Sequence, residues 1–191
     1  MIVQSIGNKQ EYANAKSAGS ALIRGSATTW SMLDTSHWRS LTAVTLTLKQ
    51  ARRSALPNDA ASRIWVEVND VQCKNAFRHF MNLLNRAIYR NAVRRHGKRL
   101  RVIAVVEKDI DGRWHIHAAI EPPSHLADAE FETLIRDCWQ RTDWGYREIQ
   151  LGQNADRGWI DYMLKPGQKS GHEQWFDSID LDSLHNPIAD A

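Results

Sequence analysis

The stretch EKDIDGRWHIHAAI (107–120) decides the fold, because it reads as one β-hairpin with a fixed register. Asp109-Ile110-Asp111-Gly112 suits a type I turn followed by glycine in the left-handed region, the three-residue hairpin loop. With Ile110, Asp111 and Gly112 in the loop, Asp109 faces Arg113 and Glu107 faces His115. Side chains alternate between the two faces of a strand, so His115 and His117 share a face, about 7 Å apart. Trp114, Ile116, Ala118 and Ile120 share the other, joined across the hairpin by Val102, Ala104 and Val106. One register therefore gathers both the apolar residues and the set Glu107, His115 and His117. A loop longer by one residue would send Glu107 to the wrong face.

Outward from the hairpin, the expected strands are Leu41 to Leu48, Leu100 to Glu107, Arg113 to Glu121 and Tyr146 to Leu151. In the first of these Val44, Leu46 and Leu48 point one way, and Thr45 and Thr47 the other. The expected helices are Val71 to His96, Asp128 to Gln140 and Asn154 to Leu164, each with apolar residues at helical spacing. Gly97 ends the first of them well. Residues 50–62 are polar and contain Pro57, which predicts a loop. Ile64 to Val68 reads as a short strand or as the lead-in to the next helix. The order is strand, helix, strand, strand, helix, strand, helix. That order predicts an α+β, ferredoxin-like antiparallel sheet, with helices packed on one face and the active site on the other, open face. The expected organisation is an N-terminal extension (1–40), one domain (41–170) and a polar tail (171–191) that Trp175 and Phe176 could dock.

The whole chain sets outer limits. Its 191 residues suit one domain, and 42% hydrophobic residues suffice for a core. It holds no G-x-x-x-x-G-K-[ST] phosphate loop, and the length leaves little room for an ATP-driven domain. The formal net charge is only +3. Arg86, Arg90, Arg94, Arg95, Lys98, Arg99 and Arg101 nevertheless crowd one stretch, which would attract phosphate backbones without reading sequence. A solvated helix face accounts for such a run equally well. Arg94, Arg95, Lys98 and Arg99, with Thr45 and Thr47, are the candidate DNA-contacting residues. Cys73 and Cys138 stand far apart, in no metal-binding spacing. No signal peptide and no membrane-spanning run is seen, so a soluble, cytoplasmic protein is expected.

Two features carry chemistry. Two imidazoles and one carboxylate on a strand face can hold a divalent ion while leaving positions for water and substrate oxygens. A closed structural zinc site would want four protein ligands. The same two histidines alone are also the pattern of an ordinary solvated strand. The second feature is RGWIDYMLK (157–165), in which Tyr162 and Lys165 share a helix face. A phenol is a poor nucleophile at neutral pH, and a nearby cation or metal can stabilise its phenolate. Lys165 could do this, or could clamp a DNA phosphate. The bland alternative is a half-buried tyrosine beside a surface lysine.

Taken together, LTAVTLTL (41–48), WHIHAAI (114–120) and YMLK (162–165) resemble, in order, the three motifs of the HUH endonucleases. The resemblance is particularly to rolling-circle replication initiators with a single catalytic tyrosine. Glu107 matches the carboxylate that this branch supplies from the neighbouring strand. The resemblance implies Mg²⁺ or Mn²⁺ held by Glu107, His115 and His117, and attack by Tyr162 on single-stranded or hairpin origin DNA of a plasmid or phage. It implies a covalent 5′-phosphotyrosine, and reliance on a host helicase and polymerase. A transposase or relaxase of the same superfamily is the rival enzyme. A non-catalytic ferredoxin-like nucleic-acid-binding domain is the rival binding module. The latter would want exposed aromatics on the sheet, where His, Glu and Thr are expected instead.

Overall fold

The computed structural model describes residues 33–56, 58–153, 155–164, 179–180 and 183–187. The strands are β1 (Thr42–Leu48), β2 (Ala51–Leu56), β3 (Asp59–Glu67), β4 (Val102–Lys108), β5 (Trp114–Ile120) and β6 (Gly145–Gly152). The helices are α1 (Asp70–Tyr89), α2 (Ala92–His96), α3 (Asp128–Gln140) and α4 (Arg157–Leu164). Strands β4, β5, β1 and β6 form, in that order, a four-stranded antiparallel sheet. With α1 and α3 on one face, this is the α+β, ferredoxin-like arrangement that the element order predicts.

The main core lies between the sheet and these two helices. Val44, Leu46 and Leu48 of β1 meet Phe77, Phe80 and Leu84 of α1, and Phe131, Ile135 and Trp139 of α3. Each large apolar side chain removed from water contributes about 1.5–3 kcal/mol. Phe80 and Trp139 meet edge to face, with centroids 5.8 Å apart. Trp139 also donates its indole N–H to the Thr47 carbonyl at 3.1 Å, which ties α3 to the central strand. Cys73 and Cys138 are free and buried in α1 and α3. Burial pushes the Cys73 thiol up to about 12.

Several expectations are corrected. The long helix is interrupted after Tyr89 by Arg90, at φ 48°, before the short α2, and Gly97 at φ 64° ends α2. No residue of α2 is buried, so packing does not hold it in line with α1. Instead the buried Asn85 side chain accepts the Leu100 N–H at 2.8 Å and draws the chain back toward β4. Val71, at an apolar position of the helical pattern, is exposed. Residues 50–62, expected as a loop, largely belong to the two-stranded ribbon β2–β3. Its residues face no core, so the apolar alternation that marks a strand is missing. Pro57 falls between the strands, where a missing backbone N–H breaks no ladder.

A further correction concerns the open sheet face, which is in part covered. Ile103, Val105 and Ala119 lie under Leu33, Trp38, Leu41, Ile160, Met163 and Ile179. Along the free edge of β4, Asp180 donates its N–H to the Ala104 carbonyl, and His185 exchanges two hydrogen bonds with Val102. Trp175 and Phe176 lie outside the described residues. Among those described, no helix is long and apolar enough to cross a membrane.

Gly145 opens β6 where a Cβ would stand 2.0 Å from the Trp139 carbonyl oxygen. Gly145→Ala should therefore force α3 and β6 apart and cost about 3 kcal/mol or more. Thermal denaturation against wild type checks this, and an unchanged midpoint would contradict the packing.

Candidate active site

The turn that orders the site closes as its sequence requires. Asp109 donates its N–H to the Arg113 carbonyl at 2.9 Å, and Gly112 stands at φ 80°. Glu107 then pairs with His115, and Val105 with His117. On its other side β5 pairs with β1, which sets Thr47 beside His115 and Thr45 beside His117. Successive rows on this face run Ile103–Ala119, Val105–His117 and Glu107–His115. Apolar rows thus give way to polar rows toward the turn, and the covering segments lie over the apolar end.

The histidines are held by specific partners. His117 Nδ1 is 3.1 Å from Thr45 Oγ1, and its Nε2 is 3.3 Å from Glu107 Oε2. His115 Nε2 is 2.9 Å from Asp109 Oδ2. The other Asp109 oxygen accepts the Arg113 N–H at 2.8 Å. That backbone bond, with His115 adding to it, holds the Asp109 carboxyl below its ordinary range. Asp109 is thus a second carboxylate of the site that the sequence reading used only as a turn residue. Its place two residues after Glu107, on the same face, was the available signal.

Tyr162 comes from α4 and lies over this layer. Its ring is 6.0 Å from that of His117, nearly perpendicular to it, and is 52% exposed. Trp159 holds it in place. The indole stacks on the phenol at 5.3 Å, meets His117 edge on at 5.8 Å, and donates its N–H to the Ala118 carbonyl at 3.1 Å. Ile160 and Met163 anchor the opposite side of α4 in the smaller core. Nothing in the sequence marked Trp159 for the site, because its contacts with both Tyr162 and His117 depend on where α4 docks.

The remaining candidates divide. Lys165 lies outside the described residues. Thr45 is half-buried against His117, and Thr47 is only 6% exposed, so it offers DNA almost no surface. Arg94, Arg95, Lys98 and Arg99 are exposed but precede β4. About 17 Å of strand separates the start of β4 from Glu107, so this basic run sits at the end of the sheet away from the histidines. Lys98 Nζ lies 4.9 Å from the Tyr89 ring centroid, and Arg101 is paired with Glu121 at 2.7 Å.

Among the described residues, no three of His, Cys, Asp or Glu already form a metal shell. Each imidazole instead faces its own carboxylate. The donor types fit a hard divalent ion, since nitrogen and carboxylate oxygen lie together on one strand face.

A family model for the replication-associated protein ORF2 matches residues 42–170, about two thirds of the chain. The chain belongs to this family. The ORF2 match begins with the first residue of β1 and runs through α4, so it spans Thr45, the hairpin histidines and Tyr162. Membership agrees with the rolling-circle initiators of the HUH superfamily, which the three motifs resemble, and gives this protein a replication-associated function. No curated protein and no solved structure is significantly similar to it.

Thr45→Val should keep the fold, cost about 1 kcal/mol in urea denaturation and shift the His117 ring nitrogen resonances. Unaltered ¹⁵N side-chain resonances of His117 would show that the hydroxyl does not hold the ring.

Proposed function

We propose that this member of the ORF2 family nicks and rejoins single-stranded origin DNA through Tyr162, to initiate rolling-circle replication of a plasmid or phage. The observation that carries this reading is the exposed Tyr162 phenol poised over His117, on the face that also holds His115, Glu107 and Asp109.

In the forward step the Tyr162 oxygen attacks the scissile phosphorus. The bond from phosphorus to the 3′-oxygen breaks, leaving a free 3′-hydroxyl and a 5′-phosphate esterified to the tyrosine. The phenol proton passes to water and the departing oxygen takes one up, so the exchange is balanced. The reverse reaction restores the strand without ATP, because one phosphodiester replaces another. The role assigned to Glu107, His115 and His117 is to hold Mg²⁺ or Mn²⁺, which when bound polarises the phosphate as a Lewis acid. Thr45 fixes the His117 ring, with Nε2 turned toward Glu107. Asp109 orients His115, and Trp159 limits the swing of the nucleophile, which raises the share of productive geometries. Lys165 is assigned to phosphate binding or to phenolate stabilisation.

Incubation with labelled single-stranded DNA and Mn²⁺ should give an adduct that survives denaturation, mapping to Tyr162 by mass spectrometry. Tyr162→Phe should abolish the adduct and leave DNA affinity within about twofold, since it removes one hydroxyl. An adduct on that variant would move the nucleophile elsewhere. His117→Ala and EDTA should each reduce cleavage by at least about a hundredfold. Full cleavage in EDTA would refute the metal role.

A further inference from the structure

The ribbon β2–β3 has no part in the chemistry above. Across it Arg53 pairs with Trp65, and Ala55 with Arg63. Strand alternation puts Arg53, Arg63 and Trp65 on one face. Trp65 is 69% exposed, and the Arg53 guanidinium lies 6.0 Å from its ring centroid. A tryptophan this exposed contributes little to folding through burial, and the backbone ladder forms without it. The other face ties the ribbon to the domain. Arg52 there pairs with Asp143 at 3.3 Å and lies over the Trp144 ring at 4.9 Å.

The base of the ribbon is fastened beside the candidate site. Gln50 donates its side-chain amide to the Trp114 carbonyl at 3.2 Å and accepts the Trp114 N–H at 2.8 Å. The Gln50 carbonyl accepts the Val68 N–H at 3.0 Å and closes the ribbon. Trp114 immediately precedes His115, so the ribbon is rooted at the rim of the histidine layer. Trp65, opposite Arg53, stands about 10 Å out along it.

We propose that this face of the ribbon is a second DNA contact, gripping the single strand outside the scissile phosphate. A base stacks on Trp65, and Arg53 and Arg63 meet the flanking phosphates. An aromatic ring set among cations is the chemistry that binds single strands irrespective of sequence. Two arginines against Glu67 at the base leave the face positive, complementary to a phosphate chain. The proposal rests on the reading that the chain acts on single-stranded DNA.

The test is fluorescence anisotropy with labelled oligothymidylate in EDTA, which separates binding from cleavage. Trp65→Ala should weaken affinity about tenfold, with Trp65→Phe close to wild type. Arg53→Gln should make the slope of log affinity against log salt shallower by roughly 0.7, a readout that stands even if Trp65→Ala misfolds. Wild-type affinity and salt slope in folded variants would overturn the proposal. So would an altered oligomeric state of Trp65→Ala with unchanged DNA affinity, which would assign the face to a second copy. The two readings fail separately. A Tyr162 adduct with unchanged Trp65→Ala affinity sinks the ribbon contact alone, and lost affinity without any adduct sinks the nicking alone.

Discussion

The hydrogen bond from Asp109 to the Arg113 carbonyl closes a three-residue loop and so assigns every side chain of β4 and β5 to a face. Because strand periodicity is two, the hairpin has no partial errors: a slip of one residue would exchange core and site together. Gly112 makes the closure possible by taking a positive φ that other residues adopt at a cost. The apolar row of Val102, Ala104, Val106, Ile116 and Ala118 then enforces the same register through burial. The polar row of Glu107, Asp109, His115 and His117 is held in place by the core behind it.

That dependence explains why the site is rigid at its base and exposed at its top. The imidazoles stand on a sheet whose reverse face is packed by α1 and α3, and side chains on the same face hold their rings. The phenol arrives on a short helix whose inner residues, Ile160 and Met163, sink into a separate, smaller core. Nucleophile and histidine layer thus rest on different hydrophobic clusters, and Trp159 is the side chain that touches both. The segment bonded along β4 adds Ile179 to that second cluster, so residues beyond the three motifs help to seat the tyrosine.

Sequence patterns read well wherever a periodicity had one cause. The alternation in LTAVTLTL and the helical spacing in Asp128–Gln140 each reflect burial on a single face, and each element lies where its pattern puts it. The ribbon escapes such a reading because neither of its faces enters the core, so no alternation is written into it. The helix break at Arg90 escapes it because a lost apolar stripe in α2 looks like a continued polar face.

By itself the sequence determined the hairpin register, the sheet's inward face and the grouping of Glu107 with the two histidines. Those follow from local turn chemistry and a period of two, which act over neighbouring residues. Only the tertiary structure decided that Tyr162 lies over His117, that Trp159 stacks on it, that Asp109 faces His115, and that the basic run sits at the sheet's other end. Such placements arise where elements distant in sequence dock against shared cores, and a spacing along the chain carries no measure of that.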